Sequence, residues 1–277
     1  RLSKNALNAG KTFQPIYSGP ISGTAQHLKK ENEMSNKLQE KKESNVIPFD
    51  VSTMEDDAGM GLQNVTTDDL ALPFLKISDG KGDAKSGDIF NNVTGEVFDG
   101  KEGIKVVPCI YQKRYIEWAP IGEQGYPVNI FTPEDMAAGR VPQTEQRPGD
   151  RTDWVVGSSN YIENTAQHYV VRISDDGNME PGLITMKRTG LKRSKAWNSM
   201  MQSRVEIGKN GAFQPPAFAY VYSLKTERQQ RDNNIWYLWK ITLEGNLGEN
   251  AKEPGIVYNF AKSFASSIDA GEVVVKH

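Results

Sequence analysis

The sequence predicts a mainly β fold of the α+β class, either an OB-like antiparallel β-barrel or a partly open sheet, with a mid-chain helix and a C-terminal helix. Three observations support this prediction. Short apolar and aromatic runs alternate with turn signals from residue 88 onward, two later segments alternate apolar and polar residues, and two longer segments have helical spacing. Among small architectures of this kind, a five-stranded OB-like barrel fits the pattern best.

The first β-rich segment spans residues 88–118. Its apolar and aromatic runs are separated by turn signals, which lie at Asn92, Gly95 and Asp99-Gly100. Before this segment, Thr67 or Asp68 is a candidate cap for a short helical turn. After it, repeated prolines predict a long loop over residues 120–153, with one helical turn at "TPEDMAAG".

The middle of the chain predicts two strands and a helix. The strands are expected at 168–174 and 182–188, joined by the turn "DDGN". Ser194 is the predicted N-cap of the helix. Trp197 shares one face of that helix with two methionines, which predicts that Trp197 anchors the helix in the core.

Two alternating segments, 218–225 and 235–244, predict the strands of a hairpin. The polar and basic linker between them, "TERQQRDNN", predicts a long loop. Because side chains of a strand alternate between two faces, one of Trp236 and Trp239 is expected to face solvent or a ligand. The segment 256–268 predicts the C-terminal helix.

Residues 1–45 are polar and lack periodicity, which predicts a disordered leader before a single OB-like domain over residues 46–277. The leader has two explanations. Lys30-Glu31 can be encoded by AAGGAG, a bacterial ribosome-binding sequence, and Met34 follows after a short spacer. Residues 1–33 are therefore either upstream sequence read in frame, of bacterial or phage origin, or an ordinary disordered leader.

Positive charge is concentrated in one part of the chain. The whole chain has a net charge of −2, whereas residues 181–240 contain eleven Lys or Arg and three Asp or Glu. That segment therefore carries +8 and the remainder −10. It is also rich in aromatic residues. Lys and Arg bind phosphates with release of counterions, and aromatic rings stack on bases, so this combination is typical of single-stranded nucleic-acid binding.

Within the segment, five of the nine residues 187–195 are basic, at a predicted helix start where cations oppose the helix dipole. A bound anion would offset the unfavourable interaction between these cations and the helix dipole. It could also accept hydrogen bonds from the free N–H groups at the start of the helix. We predict an electrostatic groove here, a basic loop at 228–231 that closes over the strand, and hairpin rings that stack on bases. The predicted contact residues are Lys187, Arg188, Lys192, Arg193, Lys195, Tyr220, Tyr222, Arg228, Arg231, Trp236 and Trp239.

Other chemistries have little support. No apolar run approaches the roughly 20 residues of a membrane span, and the single cysteine, Cys109, excludes a disulfide framework and cysteine-based zinc sites. The segment "GMGLQN" lacks the third glycine of a dinucleotide fingerprint. Asp56-Asp57 and Asp68-Asp69 could ligate a metal, but no further residues complete such a site. The prediction is therefore a protein without catalytic role, cofactor or metal site.

Three segments carry a resemblance to a known group. In chain order they are "DDAGMGLQNVTTDDLALPFLKI", "GDIFNNVTGEVFDGKEGIKVVPCIYQKRYIEW" and "TGLKRSKAWNSMM". They resemble tailed-phage proteins, some of which are labelled single-stranded DNA-binding proteins, and the likeness extends over about residues 56–240. Single-strand binders with the oligonucleotide-binding (OB) fold often end in an acidic tail that recruits replication partners, whereas this chain ends in "VVVKH".

The sequence and the resemblance together predict a protein that binds single-stranded DNA without sequence specificity during phage DNA replication or recombination. Its expected location is the cytoplasm of the infected bacterial host. Its expected partners are single-stranded DNA, phage replication proteins and further copies of the chain, with no membrane. The alternatives are a virion or assembly protein, and an annealing protein or divergent nuclease.

Overall fold

Residues 57–65, 69–120, 126–273 and 275 are described by the computed structural model of the chain. The chain divides into two compact units between Gln63 and Asn64. In the first unit, residues 57–63 form tight turns, in which the Met60 N–H donates to the Asp57 carbonyl over 3.0 Å. The helices and strands that follow belong to the second unit.

The secondary structure of the second unit is mainly β. Its strands are β1 (Leu75–Ile77), β2 (Ile89–Asn91), β3 (Val97–Phe98), β4 (Ile104–Trp118), β5 (Pro127–Phe131), β6 (Thr144–Glu145), β7 (Asp153–Val155), β8 (Tyr161–Ile173), β9 (Met179–Lys187), β10 (Glu206–Gly208), β11 (Gly211–Phe213), β12 (Tyr220–Arg231) and β13 (Asn234–Asn246). Its helices are α1 (Pro133–Ala137), α2 (Leu191–Gln202), α3 (Leu247–Asn250) and α4 (Pro254–Asp269).

Two long strands, β4 and β8, form the centre of the main sheet. They pair antiparallel from Lys105 opposite Ile173 to Trp118 opposite Tyr161. The start of β4 pairs with β12 and its end with β5. Most of β8 pairs with β9, whereas its start pairs with β7. The strand order is therefore β13-β12-β4-β8-β7-β6, with β5 also beside β4 and β9 also beside β8.

Both faces of the sheet are covered where β12, β4, β8 and β9 lie side by side. Val106 and Val107 are neighbours in β4 and point to opposite faces, yet both are fully buried. Helix α2 and the β1–β3 sheet cover one face, where Trp197 packs with Tyr222. Helix α4 covers the other face, where Val257 and its neighbours pack on the sheet. Each fully buried side chain of this size contributes roughly 1.5–3 kcal/mol.

Several predictions agree with this structure. The fold is mainly β and antiparallel, with a mid-chain helix and a C-terminal helix. Trp197 is fully buried, as its position on the helix predicted. The turn at 175–178 joins β8 to β9 and is closed by the Gly177 N–H, which donates to the Ser174 carbonyl over 3.0 Å. The predicted leader and the cap at Thr67 or Asp68 lie outside the described residues.

The predicted closed barrel is not what the described residues form. Among the described residues the strands form open sheets, and the outer strands β13 and β6 do not pair. Strand β12 approaches the loops of the β1–β3 sheet, where the Thr226 N–H donates to the Gly100 carbonyl over 2.7 Å, but the contact does not extend into a ladder. The partly open sheet is therefore the alternative that the chain adopts, and its OB-like character stays a prediction.

Three local predictions were wrong. A 3-10 turn at 188–190 leads directly into α2, so the helix begins before Ser194, and Ser194 is buried against His168. The predicted loop at 120–153 contains the strands β5 and β6, whereas the helical turn predicted at "TPEDMAAG" is present as α1. The linker at 226–234 continues both strands to a two-residue turn, where Asp232 has a φ of 53°. An exposed ribbon carries few apolar residues, so the period of two that marks a strand is missing from its sequence.

Candidate nucleic-acid interface

Three aromatic residues lie in a row across three strands of the sheet. Trp118 ends β4 and is paired with Tyr161 at the start of β8, and Tyr161 is paired in turn with Trp154 of β7. Residues opposite each other in antiparallel strands project from the same face, about 4.5–5.5 Å apart. The Trp154 and Tyr161 rings meet edge to face with centroids 5.9 Å apart. All three residues are half-buried. We call these three residues the aromatic row.

The loop before β7 holds one end of the aromatic row. The Trp154 indole N–H donates to the Asp150 carboxylate over 2.8 Å, and the Thr152 N–H donates to the same carboxylate over 2.9 Å. Hydrogen bonds from Thr152 and Trp154 lower the pKa of Asp150, so this acceptor stays ionised at neutral pH. The Arg147 guanidinium lies over the Trp154 ring, 4.2 Å from its centroid. One ring of the row is therefore fixed in orientation beside a cation.

Further cations flank the row on both sides. Arg151 and Arg188 line a pocket of about 150 Å³ together with Tyr161. Lys76 and Lys187 line a cavity of about 440 Å³ together with Trp118. The two spaces meet at Glu163, which lines both. Aromatic rings and cations therefore occur together at this end of the sheet.

Glu163 is a buried carboxylate in the middle of these cations. Its side chain is 6% exposed, its Oε2 accepts from the Lys187 ammonium over 2.8 Å, and its Oε1 lies 3.2 Å from the Arg188 Nε. Burial and the charge of Glu163 raise the pKa of the neighbouring Tyr161 hydroxyl. Arg188 has a left-handed φ of 48°, which costs a non-glycine residue free energy. Glu163 therefore neutralises part of the positive charge and holds two cations in place.

The basic cluster predicted at 187–195 is divided by the structure. Lys187 and Arg188 reach the spaces beside the aromatic row. Lys192 and Lys195 are exposed in the first two turns of α2, and its first turn contains no acidic residue. Arg193 forms an ion pair with Glu227 of β12 over 2.6 Å. Lys192 and Lys195 are thus the members of the cluster most open to an external anion.

Three of the four residues predicted to stack on bases lie in the core instead. Tyr220, Tyr222 and Trp239 are at most 8% exposed and belong to the core under α2, so their rings have no face open to a base. The alternation of β12 and β13 predicted one apolar face correctly, but that face packs inward. Trp236 is half-buried on the opposite face of the ribbon, and its indole N–H has no hydrogen-bond partner among the described residues.

The loop predicted to carry Arg228 and Arg231 is a strand, and contact of these residues with nucleic acid stays a prediction. Both are exposed, but they lie in the paired part of β12, opposite Tyr237 and Asn234 of β13. A strand held by a ladder of backbone hydrogen bonds cannot close over a ligand as a free loop would. The ribbon therefore presents these two cations on a regular strand.

Sequence reasoning missed the aromatic row because each ring belongs to a different segment. Trp118 ends one predicted strand, Trp154 lies just beyond the predicted loop, and Tyr161 precedes the predicted start of the next strand. One signal was present: "RPGDRTDW" places two arginines within seven residues of Trp154. The register that aligns the three rings is a tertiary property.

Within the described ranges no group of three His, Cys, Asp or Glu side chains could hold a metal ion. Asp56 and Asp68 lie outside those ranges. Asp175 pairs with Lys105 over 3.0 Å, and Asp176 accepts from Asn178 over 2.7 Å within the β8–β9 turn. None of the helices in the described part of the chain has the length and apolar character to cross a bilayer.

Comparison with protein-family models identifies a match to Pam3 phage gp34-like protein over residues 41–274. Comparisons with curated proteins and with solved structures find no match. The match includes the aromatic row, the cations around it and both long strands of the sheet.

Proposed function

The chain belongs to the family of Pam3 phage gp34-like proteins, and from this premise we propose that it binds single-stranded DNA without sequence specificity during phage DNA replication or recombination. It would act in the cytoplasm of the infected host and have no catalytic role. The observation that supports the proposal is the alignment of Trp118, Tyr161 and Trp154 in register between two groups of cations.

The aromatic row suits the chemistry of a single strand. Neighbouring strands of a sheet are about 4.8 Å apart, so the row spaces its rings at intervals that successive bases of an extended chain can reach. Stacking on a ring contributes roughly 1–3 kcal/mol per base and discriminates little between bases. Arg147, Arg151 and Arg188 lie where phosphates would follow, and the exposed Lys192 and Lys195 extend the positive surface along α2.

The test is binding of fluorescent oligo-dT as a function of salt. With three to five phosphates neutralised, the slope of log K against log salt should be about −2 to −4, since single strands give roughly −0.7 per phosphate. Tyr161→Ala should weaken binding by roughly 1–3 kcal/mol through the lost stacking. Arg151→Glu should weaken binding and flatten the salt slope.

Matched controls come from other surfaces of the molecule. Tyr111 is 42% exposed in β4 and points to the sheet face opposite the aromatic row, so Tyr111→Ala should leave affinity unchanged. Lys262 is exposed on α4, and Lys262→Glu should likewise have no effect. Absence of oligo-dT binding at low salt, or an affinity that does not change with salt, would refute the proposal.

A second candidate, a virion or assembly protein, has one supporting observation. The β10–β11 hairpin is exposed along its whole length, and Ile207 and Phe213 are 86% and 49% exposed. Large apolar side chains in a two-stranded ribbon suit contact with another protein. Recovery of the chain in purified phage particles, together with absent oligo-dT binding, would favour this candidate.

A further inference from the structure

The cavity beside the aromatic row offers more than a surface for stacking. It has a volume of about 440 Å³ and is lined by residues of β1, β4, β8, β9 and β13. Trp118, Lys76 and Lys187 are shared with the candidate interface, whereas Tyr237 belongs to the cavity alone. A DNA strand on the aromatic row would therefore pass directly beside this half-open space.

Tyr237 lines the cavity and lies close to a neighbouring loop. Gly87 has a φ of 94°, and a Cβ at that position would lie 2.5 Å from the Tyr237 Cε1. The backbone of the loop before β2 therefore approaches the Tyr237 ring closely, with no room for a side chain between them. Four aromatic residues line the cavity, namely Phe74, Trp118, Tyr237 and Trp239, and of these Trp118 and Tyr237 come from two separate strands.

The cavity also has unbalanced positive charge. Partial desolvation and the charge of Lys187 lower the pKa of Lys76, which means that the two ammonium groups repel each other. Lys187 is paired with Glu163. Lys76 lies over the Phe74 ring, 4.8 Å from its centroid, and within the described residues no carboxylate is close enough to form an ion pair with it.

We propose that this cavity binds one nucleotide unit of the DNA strand, with its base against Trp118 and Tyr237 and its phosphate on Lys76 and Lys187. The inference rests on the proposed function and adds a specific site to it. A nucleotide matches the two features of the lining, because its base is a flat aromatic group and its phosphate is an anion that two lysines can share. A bound phosphate would also relieve the repulsion between the two ammonium groups.

The experiment titrates the full chain with dAMP, deoxyadenosine and inorganic phosphate, measured by calorimetry. We expect dAMP to bind more tightly than deoxyadenosine or phosphate. Lys76→Gln should weaken dAMP binding by about tenfold, the usual effect of losing one charge-assisted hydrogen bond. Lys81→Gln is the matched control, since Lys81 is a highly exposed lysine near β1 that does not line the cavity, and it should have no effect.

Tyr237 gives a second pair of variants. Tyr237→Phe keeps the ring and should retain dAMP binding, whereas Tyr237→Ala should lose it, with thermal unfolding recorded to confirm that both variants fold. If Tyr237→Ala does not fold, Lys76→Gln still decides the question, because an exposed lysine can be replaced without disturbing the core.

Binding of oligo-dT to the same samples separates the two proposals. Oligo-dT binding with a steep salt dependence but no dAMP binding would overturn the nucleotide cavity and leave the proposed function standing. Equal dAMP affinity in the wild type and Lys76→Gln would also overturn it. Absence of both oligo-dT and dAMP binding would overturn the proposed function and the cavity together.

Discussion

Replacement of His168 should change how the stability of this protein responds to pH. His168 lies in the middle of β8 and is 1% exposed. Its ring stacks on Trp197 of α2 with centroids 4.5 Å apart, its Nε2 is 2.7 Å from the Ser194 hydroxyl, and the Tyr111 ring is 5.1 Å away. Burial lowers the pKa of His168 to about 3, with no contribution from a charged neighbour.

The sign of the effect follows from comparing proton binding in the two states. The unfolded chain protonates His168 near its ordinary pKa of 6.5, whereas the folded chain does so only near 3. Between these values the unfolded state binds more protons, so the free energy of unfolding falls as the pH falls. The loss begins below pH 6.5 and is about 1.4 kcal/mol at pH 5.5, one pH unit below that pKa.

The assay is equilibrium urea unfolding at pH 8 and at pH 5.5, followed by tryptophan fluorescence, for the wild type and His168→Gln. Glutamine keeps a polar group that can hydrogen-bond to Ser194, but it does not titrate. The unfolding free energy lost through the substitution itself is therefore the same at both pH values. The wild type should lose about 1.4 kcal/mol more than the variant between the two pH values. His27 and His277 are present in both proteins, so their contributions cancel.

Two results would contradict this reasoning. Equal losses of unfolding free energy in the wild type and the variant would show that His168 does not titrate differently in the two states. A titration of the His168 ring near pH 6.5 in the folded protein, observed by NMR, would show that the ring is hydrated rather than enclosed between Trp197 and the sheet.

Three further predictions concern packing and charge. Gly100→Ala should lower the free energy of unfolding by about 1–3 kcal/mol, the usual cost of overpacking, because a Cβ there would lie 1.9 Å from the Gly87 carbonyl oxygen. Gly255→Ala is the control, because Gly255 occupies an open position in α4. Urea unfolding should give it an unchanged or higher free energy of unfolding. Trp197→Ala should cost about 3–5 kcal/mol in the same assay, since it empties a fully buried site. Glu163→Gln should tighten oligo-dT binding at low salt by releasing Lys187 and Arg188, and weaker binding in a folded variant would show that Glu163 chiefly positions them.

Part of the candidate site was predictable from the sequence. Lys187 and Arg188 were recognised as a local excess of positive charge, and charge can be counted without a structure. The roles of Tyr220, Tyr222 and Trp239 were not predictable, because an aromatic stripe at a period of two has the same sequence pattern whether it packs inward or faces a ligand. Arg228 and Arg231 were misplaced because an exposed ribbon resembles a polar loop in composition.

Local features of this chain follow from residue spacing and composition alone. The turn at 175–178, the closing helix, the burial of Trp197 and the concentration of charge in residues 181–240 depend on neighbours a few positions apart. The open sheet and the aromatic row depend on which distant strands pair and in what register. Trp118, Trp154 and Tyr161 are separated by up to 43 residues and become neighbours only because β4, β8 and β7 align. Strand pairing is decided by burial on both faces of the sheet, and no short stretch of sequence contains that information.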